Sequence, residues 1–323
     1  MTAPRLALVF PGQGSQHVGM GRALAEAFPP ARETFLQADE VLGIPLSRIM
    51  WEDPDQLLVT TRVAQPAILT HSVAVLRLLG DRLGPVSMAA GHSLGEFSAH
   101  VAAETFGFED ALRAVRLRGE LMHRAATIRE GTMAAVLGLD DAVVEEVCAT
   151  ASRGPDSVVV PANFNSPGQV VISGDTDAVQ RASEAASSRG ARKVLPLSVS
   201  GAFHSPLMKP AEEGLREGLE GFEFARPGLP VFSNVTAGAV AEPDQARRLL
   251  LDQLTSPVRW VGSVQAMVEA GARRFVELGP GNVLRGLNRR IVRELDTTSI
   301  GEPADLEAWE AQVASSFPES KVP

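Results

Sequence analysis

Tyrosine is absent from the 323 residues, an absence from which nothing follows, and there is a single cysteine. One cysteine excludes an internal disulfide and any cysteine-rich metal site. Cys148 falls in an apolar helical pattern with Val143, Val144 and Val147 and reads as a core thiol. Excess positive charge is missing too. The net charge is −9, which speaks against wholesale nucleic-acid binding or docking on an anionic membrane. No run of about 18 apolar residues offers a membrane span. The start, Met1-Thr2-Ala3-Pro4-Arg5 followed by one short apolar stretch, does not read as a signal peptide. Neither a Gly-Lys-Ser/Thr nor a G-x-G-x-x-G follows the first strand, so no phosphate loop is expected there. Repeats and low-complexity tracts are lacking. A cytoplasmic protein with no metal is expected.

What is present is ample core material, 45% hydrophobic residues, in a length that suits two domains or a body with an insert. The stretch that organises the chain is Gly91-His92-Ser93-Leu94-Gly95, a G-x-S-x-G pentapeptide. An apolar run, Val86 to Ala90, precedes it, and Glu96 to Ala103 can wind as a helix. That is the strand–turn–helix context of a nucleophile elbow. Small flanking residues permit the sharp turn, and the helix start favours developing negative charge.

Leu6 to Phe10 reads as a buried parallel strand ending in the Gly-rich loop Pro11 to Gln16. Gly21 to Leu42 is helical with a break at Pro29-Pro30. Gln65-Pro66 is expected to open a helix to Leu79. Glu109 to Ala125 is amphipathic, its arginines mostly solvated. From Met133 to Val199 the order changes to strand 133–137, helix 141–152, strand 157–162, turn 163–168, strand 169–172, helix 175–188 and strand 193–199. Asp175 is its expected helix cap. This β-α-β-β-α-β order is ferredoxin-like. The fold expected is α/β: an α/β-hydrolase-like body with a parallel central sheet, residues 1–130 and 200–323, carrying a ferredoxin-like insert, 131–199. Beyond the insert lie a strand at 230–234, helices at 243–254 and 263–270 (Ser263 as cap), a strand at 274–278, an Arg-rich helix, and a helix near 306–315 with a frayed end.

Serine needs a neighbouring base. Of six histidines, His204 fits best, in the small-residue loop Ser200 to Met208. His92 adjoins Ser93, and its side chain points away in an elbow, so it is given a positioning role. No carboxylate stands out to orient His204; a backbone carbonyl is the alternative, fixing the tautomer without a charge. For an oxyanion, the N–H of Leu94 is one donor and Gln13 is the second; an ordinary turn is the other reading of the Gln13 loop.

Seven segments in order resemble the malonyl-CoA:acyl carrier protein transacylases: 10–16, 91–96, 116–119, 163–169, 201–204, 233–236 and 277–281. The resemblance implies ping-pong transfer of malonyl from malonyl-CoA through an ester on Ser93 to the phosphopantetheine thiol of acyl carrier protein, with no cofactor. It matches Gln253, before Pro257-Val258-Arg259-Trp260, to the residue whose carbonyl orients His204. It matches Arg118 to the arginine that grips the malonyl carboxylate, for which a planar fork is suited. Phe203 matches a position where a ring leaves little room for a methyl. Gln65, His92, Met122 and Asn165 are placed around the acyl pocket. Phe97 and Glu104 depart from the family's usual Tyr and Gly. An acidic carrier meeting an acidic chain needs a basic patch, for which Arg285, Arg289, Arg290, Arg192 and Lys193 are the candidates. A monomer is expected. A polyketide carrier as acceptor is an alternative, and a serine esterase or thioesterase a more distant one.

Overall fold

The computed structural model describes residues 5–316. The expected fraying at the C-terminal end and the reading of Met1 to Pro4 fall outside these residues. The elements in order are β1 (Arg5–Phe10), α1 (Arg22–Ala27), α2 (Pro29–Leu42), α3 (Leu46–Glu52), α4 (Thr61–Leu79), β2 (Val86–Gly91), α5 (Gly95–Ala102) and α6 (Phe108–Ile128). Then come β3 (Thr132–Leu137), α7 (Asp141–Ala151), β4 (Val159–Ser166), β5 (Gln169–Gly174), α8 (Thr176–Ser188) and β6 (Lys193–Pro196). The chain closes with α9 (Glu212–Glu220), β7 (Val231–Phe232), β8 (Ala239–Val240), α10 (Pro243–Asp252), α11 (Trp260–Glu269), β9 (Ala272–Leu278), α12 (Val283–Ile291), β10 (Asp296–Ile300) and α13 (Pro303–Ser316).

Six strands form the body sheet in the order β10-β9-β1-β2-β7-β8, all neighbours parallel except the β7–β8 pair. β1 lies centrally and is buried from Leu6 to Phe10, which its unbroken apolar sequence requires. α4 is more fully buried than the longer α6. Thr61–Leu83 is long and apolar enough to cross a membrane by length and composition, yet 83% of its apolar window is buried inside the protein. The second sheet is antiparallel, β4-β5-β3-β6, with α7 and α8 supplying its own apolar cluster, Cys148 included. Its connectivity is the ferredoxin-like one.

Several local expectations need correction. α4 starts at Thr61, so Pro66 lies inside it rather than opening it; its missing N–H leaves one carbonyl without an intrahelical donor. Asn163 to Ser166 is strand, not turn. It continues β4 because Asn163, Phe164 and Ser166 pair with Val171, Val170 and Gln169 of β5, with Phe164 N–H also donating to Val258 O, and only Pro167-Gly168 turn the chain. α11 begins at Trp260, so Ser263 sits within it and bonds back to Arg259 O instead of capping. Asp175 does precede α8 but gives its carboxylate to Arg129 and Val158 N–H. The last insert strand stops at Pro196, and Leu197 to Val199 become cavity wall. α3, α9, β8 and β10 were not anticipated.

Candidate active site

The elbow is a crossing of three backbones. A Cβ on Gly91 would lie 1.8 Å from the Gly95 carbonyl carbon, and one on Gly95 would lie 2.0 Å from the Phe10 oxygen of β1. Only glycine fits either place. Between them Ser93 takes φ +50°, a left-handed conformation that costs roughly 1–2 kcal/mol for a non-glycine residue. Asn234, just after β7, holds it. Its Oδ1 accepts the Ser93 N–H at 2.6 Å and its Nδ2 donates to Gly91 O at 2.7 Å. The Leu94 N–H, at the start of α5, has no intrahelical acceptor, as expected of the first turn.

His204 reaches the serine from the loop before α9, also at positive φ, +56°. Its Nε2 lies 2.7 Å from Ser93 Oγ, and its Nδ1 lies 2.9 Å from the Gln253 carbonyl at the end of α10. A proton on Nδ1 is therefore held by that carbonyl, and Nε2 is left as acceptor. Burial, then the nearby Arg118 cation and His92, lower the His204 pKa to about 3. It is neutral at pH 7. No carboxylate orients it.

Arg118 is the single arginine of α6 turned fully inward, 1% exposed, while Arg113 and Arg124 face solvent. Nη1 donates to Gln65 Oε1 at 2.7 Å; Nη2 donates to Gln253 Oε1 at 3.0 Å and to Ser93 Oγ at 3.3 Å. Burial lowers its pKa to about 10, so it remains a cation at pH 7. Gln65 also donates to Met122 Sδ at 3.4 Å.

These groups open on a cavity of about 450 Å³ lined by Gln13, His92, Ser93, Leu94, Arg118, Met122, Phe203 and His204 from the body and by Met133, Asn163 and Leu197 to Val199 from the insert. Gln65 and Gln253 stand behind the lining, both fully buried. One sequence assignment shifts. Asn165 does not line the cavity; Asn163 does. Asn165 Oδ1 instead holds His92 Nε2 at 2.7 Å, and the His92 ring tilts against Trp260 at 5.7 Å. The Gln13 side-chain Nε2 lies 3.3 Å from Thr61 Oγ1, which takes one of its two N–H donors. The Gln13 backbone N–H is a further donor beside the cavity. The basic candidates are exposed. Arg290 bonds Gln169 Oε1, the Gly168 carbonyl accepts from Gly138, and Arg192 lies against Gly138, so Arg290 and Arg192 edge the same end of the insert sheet.

Two residues given no role from sequence belong to the site: Asn234 and Glu96. Glu96 is fully buried in the first turn of α5. Its Oε2 accepts from Gln253 Nε2 at 2.6 Å and from Asn234 N–H at 3.1 Å. Burial raises its pKa to about 7. Both residues sit inside sequence segments already singled out, but neither spacing nor polarity betrays a long-range partner. A second cavity of about 430 Å³, near α3 and the start of α4, mixes Arg48, Arg62 and Arg116 with Asp53 and Asp55 and contains no nucleophile–base pair.

A serine within hydrogen-bond reach of a neutral imidazole, at a helix start that can hold an oxyanion, is a site for accepting and passing on an acyl group. The molecule is thus an enzyme of the serine acyl-transfer class. Residues 7–313 match the acyl transferase domain, and the chain belongs to that family. It is 44% identical over 305 residues to the malonyl CoA-acyl carrier protein transacylase of Escherichia coli K12, covering 94% of this chain and 98% of that one. Identity to the protein of the same name in Bacillus subtilis is 43% over 303 residues, 94% and 95% of the two chains. Among solved structures, an acyl carrier protein S-malonyltransferase from Vibrio cholerae aligns with TM-score 0.90 and 44% identity over 94% of this chain and 99% of the other. A malonyl-transacylase solved in complex with a type II polyketide acyl-carrier protein aligns with TM-score 0.92 and 42% identity over 95% and 99%.

Proposed function

We infer that this enzyme moves a malonyl group from malonyl-CoA to the phosphopantetheine thiol of acyl carrier protein, in fatty acid synthesis. Ser93 Oγ attacks the thioester carbonyl while His204 Nε2 takes its proton. The oxyanion rests against the Leu94 and Gln13 backbone N–H groups. Collapse breaks the C–S bond, and the CoA sulfur leaves with the proton from His204. The carrier thiol then gives its proton to His204 and attacks the ester, and Ser93 Oγ departs as the alcohol. No cofactor takes part. A base oriented by a carbonyl instead of a carboxylate leaves the ester time to meet its second acceptor.

The observation that carries this reading is the buried Arg118 guanidinium, 3.3 Å from Ser93 Oγ. A neutral acyl chain has no use for a buried cation beside the nucleophile, whereas the free carboxylate of malonate fits its planar fork. Intact-mass spectrometry after mixing with malonyl-CoA tests it. One malonyl adduct is expected, mapped to Ser93, absent in Ser93→Ala and discharged by holo acyl carrier protein; no adduct, or one elsewhere, refutes it. Phe203, 6% exposed in the cavity wall, limits room for a 2-methyl group.

For the carrier we propose docking on Arg285, Arg289 and Arg290 of α12 together with Arg192 and Lys193. Charge reversal at Arg289 and Arg290 should raise the KM for carrier protein and leave loading by malonyl-CoA unchanged. A polyketide carrier as acceptor is the second reading, supported by similarity to the transacylase solved with such a carrier; competition between the two holo carriers decides. We take residues 131–199 as the inserted domain and propose that the enzyme acts as a cytoplasmic monomer.

A further inference from the structure

We propose that Glu96 is the positioning residue of the arginine clamp: it fixes which way the Gln253 amide faces, and thereby aims Arg118 at the acyl carboxylate. This rests on the reading that Arg118 grips malonate. Gln253 carries two separate duties. Its backbone carbonyl holds His204, whereas its side chain lies between two charged groups. An amide has a donor end and an acceptor end, and here they cannot be exchanged. Nε2 donates to Glu96 Oε2 at 2.6 Å and to Ser93 O at 3.1 Å, which leaves Oε1 to accept from Arg118 Nη2 at 3.0 Å. Reversed, the NH2 group would face the guanidinium, donor to donor.

Oε2 faces two N–H donors, from Gln253 and Asn234, so it accepts from both in either protonation state of Glu96 and selects the amide orientation. It does so without meeting the arginine, because one amide separates the two groups. The guanidinium thus keeps its charge for an incoming anion instead of being neutralised by a direct ion pair. Glu96 also accepts the Asn234 N–H, and Asn234 holds the Ser93 N–H, so the same carboxylate ties the clamp to the elbow. The Arg118 Nε is buried without a partner. A group retained at that desolvation cost calls for a role beyond packing.

The test compares kcat/KM for loading from malonyl-CoA and from acetyl-CoA, which lacks the carboxylate. Glu96→Met keeps volume and removes the acceptor; Glu96→Asp keeps an acceptor but shortens its reach; Glu96→Gln keeps an acceptor in place. A charge-assisted hydrogen bond of this kind makes about a tenfold difference or more. The malonyl-to-acetyl ratio should fall by about that factor in Glu96→Met and Glu96→Asp and be largely restored in Glu96→Gln. Equal losses for both acyl donors, or an unchanged ratio in Glu96→Asp, overturn the proposal, and Glu96→Asp serves if Glu96→Met does not fold. Arg118→Ala is the control. If it loses both donors equally, the carboxylate clamp itself is wrong; if it is selective while the Glu96 variants are not, only the role of Glu96 falls.

Discussion

The body side of the cleft presents Ser93, His204 and Arg118, each held by side chains or carbonyls that are themselves buried and bonded: Gln65, Asn234, Gln253 and Glu96. The insert side presents Met133, Leu197 and Val199, with Asn163 and Ser198 as its polar members. One wall is an interlocked polar network in a dry place, where every misplaced partner is expensive. The other is mainly a shaped apolar surface, which tolerates change at modest cost. The reacting end of the substrate is therefore governed by the body, and the insert supplies enclosure and fit.

The largest effect should come from the polar wall. Arg118→Ala is expected to lower malonyl loading about a hundredfold or more, since removing a buried, hydrogen-bonded charge partner costs about 2–5 kcal/mol. Acetyl loading should fall far less; equal losses would dissolve the contrast between the walls. The same variant sharpens the picture through pH. Arg118 helps depress the His204 pKa to about 3, so the wild-type acid limb of kcat/KM should lie well below the ordinary histidine range. Removing the cation raises the histidine pKa, so the acid limb of acetyl loading should move toward higher pH.

Phe203→Ser comes next. Opening space for one methyl should shift the methylmalonyl-to-malonyl ratio by about tenfold, the scale for one carbon in an apolar pocket. On the insert wall, Leu197→Ala should change KM for malonyl-CoA and acetyl-CoA alike by only a few-fold, with kcat retained; an acyl-selective change there would mean that the insert also reads the carboxylate. The smallest effect lies off both walls. Glu104, exposed, follows α5 at φ +55°. Glu104→Gly should stabilise the fold by about 1 kcal/mol in denaturant titration, with loading unchanged.

Much of this was legible in the sequence because the signals were local. Leu6 to Phe10 had to be a buried strand, the pentapeptide around Ser93 had to be a sharp turn, and the βαββαβ order follows from alternating patterns. What stayed hidden was set by partners distant in the chain. Asn163 to Ser166 has turn-forming residues, yet pairing with β5 on one side and a bridge to the distant Val258 on the other make it strand. Glu96 reads as one more acidic residue at a helix start, where a carboxylate is common, and only packing against Gln253 and Asn234 gives it a place in the site.

The order of parts along the chain has a consequence during synthesis. His204 follows Ser93 by 111 residues and Gln253 follows it by 160, with the whole antiparallel sheet in between. A ribosome that has released the elbow and its helix has exposed a hydroxyl without a base. An unfinished chain therefore cannot capture acyl groups from the surrounding thioester pool, and reactivity arrives only when most of the polypeptide has emerged.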